Sequence, residues 1–273
     1  MNKYLEFATE LNFKNPAHII ICADDYGLLP SISAGIIELL EKRKINATSA
    51  MSLLPWWPDE AKKLWGFQAR ASIGLHLTLT DLQPLTSMSK LAPKGQLPSL
   101  SQLLLRAYLH QLPLGEIKTE FDAQLDRFAE YFGRLPDHVD GHQHIHLLPG
   151  IREIVIELWK TKLSATTWVR NCQSGLHPIW QRKIARAKSL FIHALGRPFS
   201  QALKHYTIPC NQRLSGIYDF KQNYSEVFPH FVENAKDGDL IFCHPGFYEE
   251  QLKVYDPIAK QREQELKFLL AMQ

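Results

Sequence analysis

The chain has little of what nucleic-acid binding, membrane insertion or disulfide stapling would demand. Its 31 basic and 28 acidic residues leave a formal net charge of +3, and they are scattered rather than gathered. Phosphate backbones require a concentrated basic face, so nucleic acid is not an expected partner. The densest basic run, QRKIARAK from Gln181 to Lys188, sits in an apolar-periodic segment and reads as the solvated face of a helix. No apolar run approaches the roughly 18 residues needed to cross a bilayer, so no transmembrane segment is expected. Cysteine is scarce too: Cys22, Cys172, Cys210 and Cys243 form no CxxC pair, in a chain long enough to build a core without staples. They are expected to be reduced thiols of a cytoplasmic protein. The amino-terminal MNKYLEFATELNFKNPAH has no continuous apolar stretch or small-residue cleavage site and is expected to stay on the mature chain.

What is present is the balance of a globular protein, 45% hydrophobic and 22% charged over 273 residues. Length and the lack of any linker suggest a single barrel-sized domain, residues 1–273. Short β-branched or apolar runs alternate with segments of helical period, which implies α/β architecture with a mostly parallel sheet. The expected strands are residues 18–24, 47–53, 72–79, 138–144, 166–171 and 239–244. The expected helices are 31–44, 115–132, 149–159, 178–195, 225–235 and 258–272. Residues 83–112 read as an excursion from the barrel, with an amphipathic helix at LLLRAYL (103–109), and residues 197–222 resist assignment.

Four places carry candidate chemistry, each at the carboxyl end of an expected strand, the edge where βα architectures hold their sites. In CADDYG an apolar strand runs into Asp24 and Asp25, adjacent carboxylates that need a cation or proton beside them, before Gly27 frees the backbone to turn. In SIGLHLTLT the two-residue period puts His76 on the polar face with Ser72, Thr78 and Thr80. In DGHQHIH the same period would align Asp140, His142, His144 and His146 for as long as the strand lasts. In LIFCHPGF, His244 precedes a Pro-Gly stop. Each has an ordinary reading as a turn, cap or hydrogen-bonded core residue, but four such features on one rim favour a site. One carboxylate with two imidazoles suits a catalytic divalent ion, zinc by ligand softness, with magnesium, cobalt and manganese also open. The tryptophans, Trp56, Trp57, Trp65 and Trp168, read first as core and second as sugar platforms.

These motifs together resemble the YdjC-like (ChbG/HpnK) carbohydrate deacetylases over about residues 17–270. ADDYG at Ala23–Gly27 is similar to the family's ADDFG, and Gly74–Thr80 with His76 to its G-hydrophobic-H-x-x-LT. Asp140–His146 matches D-[GS]-H-x-H-x-H, Cys243–Gly246 matches CHPG, and Arg262–Leu266 resembles RxxEL. The resemblance implies a distorted (β/α) barrel of the polysaccharide-deacetylase-like type that removes an acetyl group from an N-acetylated amino sugar, chitooligosaccharide or lipid-linked. It implies metal ligands at Asp25, His76 and His142, and a base at Asp24. It also implies a substrate-binding arginine at Arg170 and an active-site histidine at His244. Tyr26 replaces the usual Phe, adding a hydroxyl expected near the metal and within reach of substrate. In the mechanism this suggests, Asp24 deprotonates water, and His244 or His144 protonates the leaving amine. Asp140 supports a ligand histidine in this scheme. A metal-dependent phosphoesterase and a carbohydrate-binding protein with a structural metal are the alternatives, and a homodimer is the expected assembly.

Overall fold

The computed structural model describes residues 18–174, 184–233, 235–250 and 256–272. Seven strands, β1 (Ile20–Tyr26), β2 (Ala47–Ala50), β3 (Ser72–Leu77), β4 (His138–Gly141), β5 (Trp168–Val169), β6 (Leu214–Ser215) and β7 (Leu240–Cys243), form one sheet in the order β5-β4-β3-β2-β1-β7-β6. Every pairing within it is parallel. The sheet curls into a half-barrel. A parallel bridge between Val169 and Cys210, with Leu214 N donating to Gln173 O, links its two edges.

The helices follow from apolar periodicity. α1 (Pro30–Glu41) starts with proline, whose fixed φ suits the first turn, and buries Ile32, Ile36, Leu39 and Leu40. α2 (Trp57–Lys63) precedes β3, and α3 (Leu100–Tyr108) opens on a reciprocal Ser99–Gln102 capping box. α4 (Leu114–Phe132) buries Ile117, Phe121, Leu125, Phe128 and Phe132 and stops at Gly133, whose φ of 84° only glycine adopts cheaply. α5 (Ile151–Lys162), α6 (Arg186–His205), α7 (Tyr224–Val232) and α8 (Ala259–Ala271) complete the described set.

The sequence leads to all of these strands except β6, which falls in the unassigned stretch 197–222. Two residues long, it has no room for periodicity to declare itself. Two carboxylates one turn apart on α4 pin the excursion at 83–112. Glu120, fully buried, accepts the Leu85 and Thr86 amides and the Thr86 hydroxyl, while Glu116 accepts the Lys90 and Leu91 amides. Part of the helix expected at 178–195, and of the basic run beside it, lies outside the described residues; α6 begins at Arg186.

Two departures from a regular strand shape the site. Between Ala23 and Tyr26 the β1–β2 register shifts, so that Asp24 and Asp25 together face Ser49 alone, and Asp25 takes a φ of 67°. Strict alternation would send neighbouring aspartates to opposite faces. The bulge turns both toward the same polar centre. Strand β4 ends at Gly141, not at residue 144. A tight turn over His142–Leu147 follows, with Gln143 and His144 at φ 53° and 60°, so the expected row of three histidines is broken.

Candidate active site

The polar centre lies at the carboxyl ends of β1, β3 and β4. Pairing places His76 on β3 directly beside Asp140 on β4. His76 Nδ1 lies 2.6 Å from Asp140 Oδ1, which holds the ring proton on that nitrogen and turns Nε2 toward Asp25 Oδ1, 3.4 Å away. His142, the first residue past the strand, brings Nδ1 to 2.9 Å from the same Asp25 oxygen. One donor atom each from Asp25, His76 and His142 therefore falls within 4.8 Å of the others. A carboxylate and two imidazoles converging in this way fit a divalent cation.

Asp24 lies beside that trio, one of its oxygens within 4.8 Å of donor atoms of His76 and Asp140. Arg170 clamps it with two nitrogens, Nη1 to Oδ2 at 2.7 Å and Nη2 to Oδ1 at 2.6 Å, and the same Nη2 reaches Asp140 Oδ2 at 2.5 Å. Ser49 Oγ donates to Asp140 Oδ2 at 2.6 Å. Arg170 is thus a buried bridge between two carboxylates. Expected to touch substrate, it has a side chain that is 0% exposed, with its Nη atoms facing Asp24, Asp140, Cys22 and Ser49. Tyr26, expected near the metal and substrate, is placed elsewhere. It points away from the polar centre, its hydroxyl bonded to the Glu60 carbonyl at 2.8 Å, and it is fully buried.

The charges tune one another. Burial alone would raise the Asp25 carboxyl, but the Arg262 guanidinium and His142 outweigh it and hold the group well below the usual carboxylate range. Burial likewise opposes ionisation of Asp140, and Arg170 with His76 keeps it ionised. Burial pushes His76 down, yet Asp140, with help from Asp25, carries it up to about 10. His244 goes the other way, pushed by burial to about 4 against the pull of Asp25 and Asp24. Its ring packs against Phe220 and Phe242 at centroid distances of 5.3 and 5.4 Å. His144 turns toward Cys172, 3.8 Å away, and toward the Phe242 ring, and burial holds it well below its ordinary value. Of the tryptophans, Trp57 and Trp168 are core, with Trp168 stacked on His138 at 4.1 Å.

Sequence reasoning gave Arg262 no role, although its motif stood out. Arg262 Nη2 donates to Asp25 Oδ2 at 2.7 Å. A charged residue in a late amphipathic helix carries no signal of where it points until the helix is docked.

The YdjC-like protein family model matches residues 18–273. A chitooligosaccharide deacetylase of Yersinia pestis (strain Pestoides F) is 34% identical over 245 residues, 86% of this chain and 83% of that protein. A protein of the same name from Proteus mirabilis (strain HI4320) is 37% identical over 147 residues, 54% of this chain and 57% of that one. Among solved structures, a "putative cellobiose-phosphate cleavage protein" from Enterococcus faecalis V583 superimposes with a TM-score of 0.69 at 22% identity. The match covers 93% of this chain and 90% of that one, and it shows a shared fold.

Proposed function

The chain belongs to the YdjC-like protein family, and on that premise we propose that it is a metal-dependent carbohydrate N-deacetylase acting on an N-acetylated amino sugar of the chitooligosaccharide type. The observation that carries this reading is the convergence of Asp25, His76 and His142 beside a separate carboxylate, Asp24. Asp25, His76 and His142 would hold a divalent ion, which would supply Lewis-acid polarisation of the acetamide carbonyl and lower the pKa of the attacking water.

The chain's own residues do the rest. Asp25 presents Oδ1 to the cation, with Oδ2 already engaged by Arg262. His76 presents Nε2 because Asp140 fixes its other nitrogen. Asp24 is left as the base for water, and Arg170 fixes that carboxylate in orientation through two hydrogen bonds. His244 is neutral at neutral pH, so it serves as acid to the departing amine only after receiving a proton within the cycle. Among the described residues, the two guanidiniums at the site, Arg170 and Arg262, are both committed to carboxylates, so neither is free to take up a phosphate.

The test is amine release from N-acetylglucosamine oligomers by the Asp24→Asn protein beside the wild type. Asp24→Asn should retain the bound ion and lose turnover by about 10²- to 10⁴-fold. Near-normal turnover in Asp24→Asn would remove the base assignment.

A further inference from the structure

Glu265 has no part in the steps above and Arg262 enters them only through Asp25 Oδ2, yet both are buried, at 3% and 0% exposure, three residues apart on one face of α8. Arg262 is engaged through its whole fork. Nη2 donates to Asp25 Oδ2 at 2.7 Å, Nε donates to Asp256 Oδ2 at 2.6 Å, and Nη1 reaches the His244 carbonyl at 3.5 Å. Its backbone carbonyl accepts from Gly246 N at 3.2 Å. Glu265 accepts the His244 amide at 2.5 Å with one oxygen and the buried Tyr218 hydroxyl with the other. The fit leaves no slack on the α1 side, because a Cβ at Gly35 would sit 3.0 Å from Leu266 and 3.1 Å from the Gly246 backbone.

We infer that Arg262 and Glu265 are positioning residues through which the last helix, α8, fixes the Asp25 carboxylate relative to His244. The inference rests on the ligand and acid assignments proposed above. Arg262 occupies Oδ2 of Asp25, leaving Oδ1 to face His142 Nδ1 and His76 Nε2, so Asp25 would offer a cation one oxygen. The same guanidinium and Glu265, on either side of one peptide segment, hold His244 by its backbone. A guanidinium shared by Asp25 and Asp256 is a buried cation compensated on two sides, and its planar fork is what lets one side chain serve both. Helix α8 thereby ties together the ends of β1 and β7 just past the last paired residues, Ala23 and Cys243.

A purely structural role predicts lost stability and nothing else. A positioning role predicts altered metal binding in protein that remains folded. The measurement uses full-length Arg262→Gln, Arg262→Lys, Glu265→Ala and Glu265→Gln, each checked for a cooperative melt. Cobalt(II) affinity is read by competition with a chromophoric chelator, together with the cobalt d–d absorption. Arg262→Gln should lose about 10- to 100-fold in cobalt affinity and change the absorption as the freed Oδ2 enters the coordination shell. Arg262→Lys, with one amine for two carboxylates, should fall between, and it carries the test if Arg262→Gln does not fold. Glu265→Ala should lower kcat with cobalt affinity intact, and Glu265→Gln, which still offers an acceptor to the His244 amide, should restore kcat. Wild-type cobalt affinity and absorption in a folded Arg262 variant would overturn the inference. So would wild-type kcat in Glu265→Ala. Failure of the wild-type protein itself to bind cobalt would instead remove the ligand assignment beneath it.

Discussion

Asp140 is the residue on which most of the site turns, because it is the common partner of His76, Arg170 and Ser49 while fully buried. Replacing it with Asn keeps the shape but removes the charge that holds the proton on His76 Nδ1. Asp140→Asn is expected to weaken divalent-ion affinity by about 10- to 100-fold in equilibrium dialysis. It should also destabilise the fold, since the buried Arg170 charge then loses one of its two carboxylates. An unchanged ion titration would remove Asp140 from its role behind His76. At this scale the sequence was most informative where a residue type is costly unless used: adjacent aspartates at a strand end, and imidazoles two apart. It was least informative where a side chain's direction depends on neighbours distant in sequence. Arg170 and Tyr26 were both expected to face substrate; Arg170 is drawn inward by Asp24 and Asp140, and Tyr26 is drawn away by Glu60.

Strand patterning made β1 and β7 legible as apolar runs bounded by polar residues, and β3 and β4 legible from their two-residue alternation. The bulge in β1 was not legible, for it depends on how β1 registers against β2, and neither strand's own composition shows it. The break after Gly141 was hidden for a related reason: alternating histidines fit a strand and a tight turn equally well. Gly74 shows how closely the elements are fitted. A Cβ there would lie 2.2 Å from the His138 ring, which is stacked on Trp168 and hydrogen-bonded to Ser72 and Ser49. Gly74→Ala is therefore expected to cost about 1–3 kcal/mol or more in chemical denaturation, and wild-type stability would contradict the packing described. On α4, Glu120→Ala should release the Leu85–Thr86 segment, seen as faster proteolytic nicking within the 83–112 excursion. Nicking at the wild-type rate would show that Glu120 does not pin it.

Over the whole molecule, buried histidines set how the metal-free fold responds to acid. Burial pushes His138 and His146 down to about 4, whereas an unfolded histidine titrates near 6.5. In that interval the unfolded chain binds protons that the folded one refuses. Stability present at neutral pH should fall as pH drops from about 6.5 to about 4, by on the order of 3 kcal/mol for each fully buried ring. His144, also held down by burial, adds to this trend. Glu265, pushed up by burial to about 7, acts in the opposite sense from about 4.5 to 7 and offsets part of it. Urea unfolding of the metal-free protein should give a lower stability at pH 5 than at pH 7, and equal or greater stability at pH 5 would contradict this balance. His138 joins the site's polar network through Ser49, which also bonds Asp140, so acid stability and chemistry share buried groups. The central claim is that an ion held by Asp25, His76 and His142 is what that network exists to position. The most direct test is to titrate zinc into the metal-free protein while following amine release from N-acetylglucosamine oligomers. The account predicts no release without zinc and saturation at about one ion per chain, with neither in His76→Ala or His142→Ala. Release that is independent of zinc occupancy, or that survives loss of either histidine, would contradict it.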